Sequence, residues 1–148
     1  MHRITVAFVL MTLALGCASG QGRPASIPQP EIDLRQVGPI FFGSGVTTAP
    51  VTFEIDVTNR AADPLEVTEI ELNSLGGAQF EILTKVRRLR ERIAPGETRT
   101  ISVSATAVSR TVRGTPTEPM SVRGIVTFET PDGRRFREII IAPLLSSE

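Results

Sequence analysis

Very few side chains in this 148-residue chain could act as a nucleophile, a general base or a soft metal ligand. His2 is the only histidine and Cys17 is the only cysteine, and both lie in or beside an apolar N-terminal segment. A Ser-His-Asp triad, a Cys-His pair and a usual zinc site all need those residue types. If the segment is removed as a leader, the remaining chain has no imidazole. We therefore expect no enzyme of those classes.

Carboxylates are the remaining candidates for acid–base chemistry. Glu66, Glu69 and Glu71 lie on one predicted strand, where Glu69 and Glu71 share a face. Such carboxylates are more often solvated than catalytic, and the chain has no Trp or Tyr to stack on a sugar. The acidic residues lack calcium-loop spacing, and the glycine-rich pieces lack the Lys-Ser or Lys-Thr of a phosphate cradle. We predict no catalytic residue, cofactor or metal; an enzyme that uses carboxylates alone is the least favoured alternative.

A run of cations is the other unusual feature, formed by Lys85, Arg87, Arg88, Arg90 and Arg92. One interpretation is contact with an anionic surface of lipid headgroups or lipopolysaccharide phosphate, where each basic residue contributes about 1 kcal/mol. The other, which we favour, is protection of an exposed strand, because arginine discourages edge-to-edge pairing. The whole chain has 16 basic and 16 acidic residues, so we expect no nucleic-acid binding.

The N-terminus has the pattern of an export signal. Met1, His2 and Arg3 give a short basic start, and residues 4–15 are almost entirely apolar. Twelve residues of helix span about 18 Å, well short of a hydrocarbon layer of about 30 Å. Residues 1–16 are therefore predicted to be a cleaved signal peptide rather than a permanent membrane span.

The end of this segment, Ala14-Leu15-Gly16-Cys17, resembles the lipobox of bacterial lipoproteins. The resemblance implies cleavage between Gly16 and Cys17, a diacylglycerol thioether on Cys17 and a further acyl chain such as palmitate on its amino group. Two or three acyl chains would anchor the protein firmly to a membrane. Ala18 in the next position implies the outer membrane, with the domain facing the periplasm. The alternative is an ordinary secretory signal in which Cys17 is incidental.

The rest of the chain divides into a tether and one domain. Residues 17–30 comprise the predicted acylated cysteine and a flexible linker rich in Gly, Pro and Ser, with a reach of about 20 Å. Residues 31–148 alternate apolar and polar positions, with turn signals about every ten residues. The sequence predicts strands near residues 31–37, 50–59, 65–73, 78–83, 98–107, 120–130 and 135–142.

These strands predict an all-β fold, an immunoglobulin-like antiparallel β-sandwich of about seven strands. The third strand changes phase, which a bulge at Thr68 or Glu69 would reconcile. Gly124 is predicted to face inward where a neighbouring side chain presses close, and Asn59 is predicted to hold the turn into Pro64. Residues 84–93 have apolar residues at helical spacing, and we interpret them as an exposed edge strand or a short crossing turn.

One family resemblance follows from the segment 52–72. A strand ends at Asn59, a polar turn follows, and Pro64-Leu65 begins the next strand; later, a strand containing Gly124 precedes a hairpin. This pattern resembles the late embryogenesis abundant type 2 domain, also called the water stress and hypersensitive response domain, although the chain has Asn59-Arg60-Ala61 where the family usually has Asn-Pro-Asn. The resemblance implies an immunoglobulin-like sandwich linked with stress protection.

The sequence thus predicts a non-catalytic, lipid-anchored envelope protein. One hypothesis is a protective module of the late embryogenesis abundant type 2 kind. The alternative is an accessory interaction module that binds a protein partner of the envelope through a sheet edge or loops. The second hypothesis requires an exposed apolar patch or an unprotected edge strand, whereas the first requires neither.

Overall fold

The computed structural model describes residues 28–76, 80–109 and 120–145. The predicted signal peptide, Cys17 and most of the predicted linker lie outside these residues. The described part contains eight strands and no helix that could cross a membrane. The strands are β1 (Glu31–Val37), β2 (Thr48–Thr58), β3 (Leu65–Leu75), β4 (Phe80–Ile82), β5 (Lys85–Ile93), β6 (Thr98–Ser109), β7 (Ser121–Glu129) and β8 (Arg135–Pro143).

The strands form two four-stranded antiparallel sheets. The first sheet has the order β1-β2-β6-β4, and the second has the order β5-β3-β7-β8. The predicted all-β, immunoglobulin-like sandwich is therefore confirmed. The described chain has eight strands where the sequence indicated about seven, and the added one is β5, which is the predicted edge strand rather than a crossing turn.

The core lies between the sheets because each strand turns alternate residues inward. In β2, Val51, Phe53, Ile55 and Val57 are buried while the residues between them are half-buried or exposed. The rings of Phe128 and Phe136 stack with centroids 5.1 Å apart near one side of the core. Alternation at period two thus produces one apolar layer shared by both sheets.

A bulge corrects the phase of β3, as predicted. The register of β3 against both neighbours shifts between Val67 and Glu69. The shift keeps Val67 and Ile70 in the core despite their odd spacing, since both are fully buried. It also places Glu66 on the same outer face as Glu69 and Glu71, where the sequence had grouped only the last two.

Asn59 links the two sheets at the end of β2, and its predicted structural role is confirmed. Its side-chain amide donates to the carbonyl of Asp63 at 2.9 Å and to the carbonyl of Ile93, the last residue of β5, at 3.1 Å. Its side-chain oxygen accepts from the N–H of Ala61 at 2.9 Å. Asn59 is fully buried, where water cannot reach. Its side chain therefore supplies the hydrogen bonds that these backbone groups would otherwise lack.

Gly124 faces inward where neighbouring side chains press close, as predicted. A Cβ atom added there would lie 3.1 Å from Cγ2 of Ile140 and 3.2 Å from Cδ2 of Leu34. Both neighbours belong to strands at one side of the sandwich, β8 and β1. The missing side chain therefore allows these two edge strands to close over the core.

Candidate interaction edge

The predicted basic cluster is divided between two directions by the alternation of β5. Arg88 and Arg92 pair in register with Glu69 and Glu66 and lie with them on the outer face of the second sheet. Lys85 and Arg87 instead share the register of buried residues of β3, although both are exposed. The guanidinium of Arg87 donates to the carbonyl of Ser102, on a strand of the first sheet. The five cations therefore do not form one continuous patch.

Glutamates of β3 compensate part of the remaining charge. Arg88 Nε lies 3.3 Å from an oxygen of Glu69, and Arg90 Nε lies 3.7 Å from an oxygen of Glu66. Both arginine side chains are more than four-fifths exposed, so each pair contributes little to stability. Contact of Lys85, Arg87, Arg88, Arg90 and Arg92 with an anionic surface stays a prediction.

The same contacts describe the candidate carboxylates. Glu66 and Glu69 lie beside arginines, and Glu71 accepts a hydrogen bond from the Asn73 amide at 3.0 Å. A groove over this face places arginines of β5 and β8 next to Glu66, Glu69 and Glu129. The described part of this face is therefore an ion-paired surface, and the absence of a catalytic carboxylate stays a prediction.

The outer face of the first sheet is also polar and internally bonded. The Arg35 guanidinium donates a hydrogen bond to a carboxylate oxygen of Glu54 at 2.5 Å. It donates a second hydrogen bond to a carboxylate oxygen of Asp56. The Thr100 hydroxyl donates to Asp56 at 2.5 Å. Both hydrogen bonds to Asp56 hold the pKa of this carboxyl below its usual range, and the one from Thr100 has the larger effect. The charges on this face are used to hold neighbouring strands together.

The edge formed by β8 is different, and its backbone pattern can be worked out from the two ends of the β7–β8 hairpin. The Thr130 N–H donates to the Arg134 carbonyl at 2.9 Å, and the Leu144 N–H donates to the Met120 carbonyl at 2.9 Å. Hydrogen-bonded pairs alternate along an antiparallel ladder. Residues 136, 138, 140 and 142 therefore bond to β7, and the N–H and C=O groups of residues 135, 137, 139 and 141 point away from the sheet.

The side chains of these outward-bonding residues lie on the outer face, and two of them are apolar. Ile139 is 64% exposed and Ile141 is 59% exposed, and Ile139 pairs in register with Ile125 of β7. Arg135 and Arg137 precede them, and Pro143, which has no N–H, ends the strand. The result is a short apolar edge bounded at both ends by residues that discourage pairing.

The other described edge strands lack this combination. Strand β1 carries the Arg35 network, β4 has only three residues, and β5 carries the arginines. Sequence reasoning did not single out Ile139 and Ile141. The available signal was the unbroken apolar run 139–142, because strict alternation must leave two of its members on the outer face.

Comparisons with known proteins identify the architecture alone. No family model matches the chain, and no curated protein matches it. The crystal structure of the ApaA protein from Bordetella pertussis resembles it with a TM-score of 0.55 and 15% identity, over 83% of this chain and 98% of that one. The X-ray structure of the structural genomics target SoR45 gives a TM-score of 0.52 and 11% identity, over 80% and 86% of the two chains. At such identities the likeness shows the sandwich fold, and the late embryogenesis abundant type 2 resemblance stays a prediction.

Proposed function

We propose that this chain is a non-catalytic, lipid-anchored module of the bacterial cell envelope that binds a protein partner through the free edge of β8. In this proposal, acylated Cys17 holds the protein in the outer membrane, and residues 18–30 let the sandwich face the periplasm at a short distance from the lipid. The domain acts through a surface and performs no reaction.

One observation carries the proposal: among the described strands only β7 pairs with β8, and its other side presents outward-pointing backbone groups and two exposed isoleucines at the same residues. An added strand would satisfy the N–H and C=O groups of Ile139 and Ile141 while covering their side chains. Full burial of an isoleucine side chain contributes about 1.5–3 kcal/mol, and an added strand covers only the flank of each side chain, so the two together would contribute roughly 1–2 kcal/mol. This edge favours the interaction module over the protective module, which does not require such a feature.

The contrast with β5 supports the same choice. Both strands are edges of one sheet, and β5 carries arginines on its exposed face while the central part of β8 carries isoleucines. Sheet proteins usually protect an edge with charge, as β5 does. An edge left apolar in a chain with many arginines is consistent with a surface that is covered in the working protein.

Affinity purification of the tagged full-length chain tests the proposal, with the envelopes treated with formaldehyde before detergent solubilisation so that a weak contact formed in the membrane is retained. The variants are the unsubstituted chain, Ile139→Lys, and Ser104→Lys, which adds the same cation at an exposed position of β6 on the opposite sheet. We expect a stoichiometric partner to co-purify with the unsubstituted chain and with Ser104→Lys. A second copy of the chain that carries a different tag counts as such a partner. Ile139→Lys should lose it because a lysine at the centre of the edge would have to be desolvated.

Circular dichroism should show the same β spectrum for all three proteins, so that loss of the partner is not loss of the fold. Equal amounts of partner in all three preparations would contradict binding through β8. The absence of any stoichiometric partner from the unsubstituted chain would contradict the interaction module itself.

A further inference from the structure

We infer that the partner at β8 is a second copy of this chain, paired antiparallel about a two-fold axis through Ile139. This inference rests on the proposed function, because it names the occupant of the same edge. The two second sheets would then join into one continuous eight-stranded sheet.

The backbone pattern of β8 permits this pairing. The residues whose N–H and C=O groups point outward are 135, 137, 139 and 141, so an antiparallel copy must place odd-numbered residues opposite odd-numbered residues. With Ile139 opposite its own copy, Arg137 lies opposite Ile141 and Arg135 lies opposite Pro143. Pro143 accepts a hydrogen bond through its carbonyl, so its missing N–H interrupts only the two ends of the new ladder.

The side chains of the outer face are continuous in this alignment. Ile125 of β7 pairs in register with Ile139 of β8 within each copy. A two-fold axis at Ile139 therefore produces a row of four isoleucines across four strands, Ile125 and Ile139 from each copy. Direct cross-strand pairs of apolar side chains each contribute roughly 0.2–1 kcal/mol beyond a pair of alanines.

Charge disfavours one neighbouring alignment, and existing hydrogen bonds of Leu145 disfavour the other. Moving the axis to Glu138 would place the two Glu138 carboxylates directly opposite each other on the inner side, which is unfavourable. Moving it to Ile140 would place Arg135 opposite Leu145, whose N–H and C=O already bond to the Gln36 side chain, so the new ladder would be shorter. With the axis at Ile139, Glu138 lies opposite Ile140, and the Arg135 and Arg137 pairs of the two copies lie at opposite ends of the interface.

The predicted lipid anchor suits an interface of this size. One pair of nine-residue strands is a smaller contact than the roughly 1,200–2,000 Å² of a typical stable complex. Two copies tethered to one membrane by short flexible linkers have a high effective concentration, which compensates for a weak contact. We therefore expect dimers in the membrane and mostly monomers when the anchored protein is diluted in detergent.

Cysteine cross-linking of the full-length chain in intact envelopes tests both the occupant and the register. The variants are Ile139→Cys, Ile141→Cys, Arg88→Cys on the opposite edge of the sheet, and the double variant Arg137→Cys/Ile141→Cys. A mild oxidant is added, and adducts of twice the chain mass are measured on non-reducing gels. The unsubstituted chain, with Cys17 alone, sets the background.

Ile139→Cys should give the dimer, because residues opposite each other in a hydrogen-bonded pair have Cα atoms about 5.5 Å apart, within disulfide range. Ile141→Cys should give roughly tenfold less, since the two copies of residue 141 lie about 13 Å apart along the strands. Arg88→Cys should stay at background. The double variant should recover the dimer, because residues 137 and 141 face each other.

Background levels for both Ile139→Cys and the double variant would overturn the inference, as would equal cross-linking at residues 139, 141 and 88. If the inference fails while Ile139→Lys still removes a co-purified protein of different mass, the partner is a different protein and the proposed function stands. If Ile139→Lys removes nothing either, both proposals fail.

Discussion

Replacing Asn59 by alanine should lower the free energy of unfolding by about 3 kcal/mol, although the residue lies outside every strand. The substitution removes the amide that donates to the carbonyls of Asp63 and Ile93 and the oxygen that accepts from Ala61. A buried group left without a partner costs about 1–3 kcal/mol. The Ile93 bond is buried and should incur most of this cost, while water can replace part of the other two. The large effect follows from a position that joins β2 of one sheet to β5 of the other.

Urea denaturation of the detergent-solubilised full chain, followed by far-UV circular dichroism, measures this change, since the chain has no Trp or Tyr for a fluorescence signal. With a denaturant slope of about 1.5 kcal/mol per molar urea, the midpoint should fall by about 2 M. Asn73→Ala is the matched control. Asn73 bonds to the side chains of Glu71 and Arg123 on the outer face, where water can substitute, so its midpoint should shift by less than about 0.5 M. A similar small shift for Asn59→Ala, or an equally large one for Asn73→Ala, would refute the reasoning.

Three further predictions concern packing, pH and the anchor. Gly124→Ala should lower the free energy of unfolding by about 1–3 kcal/mol, because its methyl group would lie 3.1 Å from a side-chain carbon of β8; Gly43→Ala, whose nearest neighbour is at 3.5 Å, should have little effect in the same urea assay. The pKa of Asp56 is lower in the folded protein than its ordinary value of 3.8. The ionised Asp56 side chain should therefore stabilise the fold above pH 3.8, and this stabilisation should disappear as the pH falls through the pKa of the folded state. Thermal melts of Asp56→Asn should therefore lose less stability between pH 5 and pH 2 than those of the unsubstituted chain, and parallel pH profiles would count against this. Cys17→Ala should abolish incorporation of labelled palmitate and release the chain from envelope fractions, whereas retention with label would show that another site is acylated.

The strands could be predicted because each local rule agreed with the final packing. Alternation in residues 50–59 and 98–107 became the buried and exposed faces of β2 and β6. The phase change in β3 predicted its bulge, because only an inserted residue keeps both halves against one core. Asn59 was identifiable since a short amide at a strand end can bond only to backbone nearby.

The segment 84–93 shows why local pattern alone left alternatives. Leu89 and Ile93 are four residues apart, a spacing that places them on one face of a helix and equally on one face of a strand. The third member of the apparent helical pattern, Val86, lies on the outer face and is about half exposed. Pairing with β3 decides the outcome, and that pairing joins residues distant in sequence. The sheet order, and therefore the free edge of β8, was hidden for the same reason.

The unequal edges of the second sheet also determine how copies of this chain could assemble. If β8 of one copy paired with β5 of the next, the contact would repeat without closing and produce a filament. That contact would place Arg135 and Arg137 of β8 against a strand whose exposed side chains include Arg88, Arg90 and Arg92. Pairing of β8 with itself avoids this repulsion and uses up the apolar edge in one step. In the proposed dimer, the basic edge on the other side of the sheet disfavours further addition of copies, so association through β8 would stop at a closed pair.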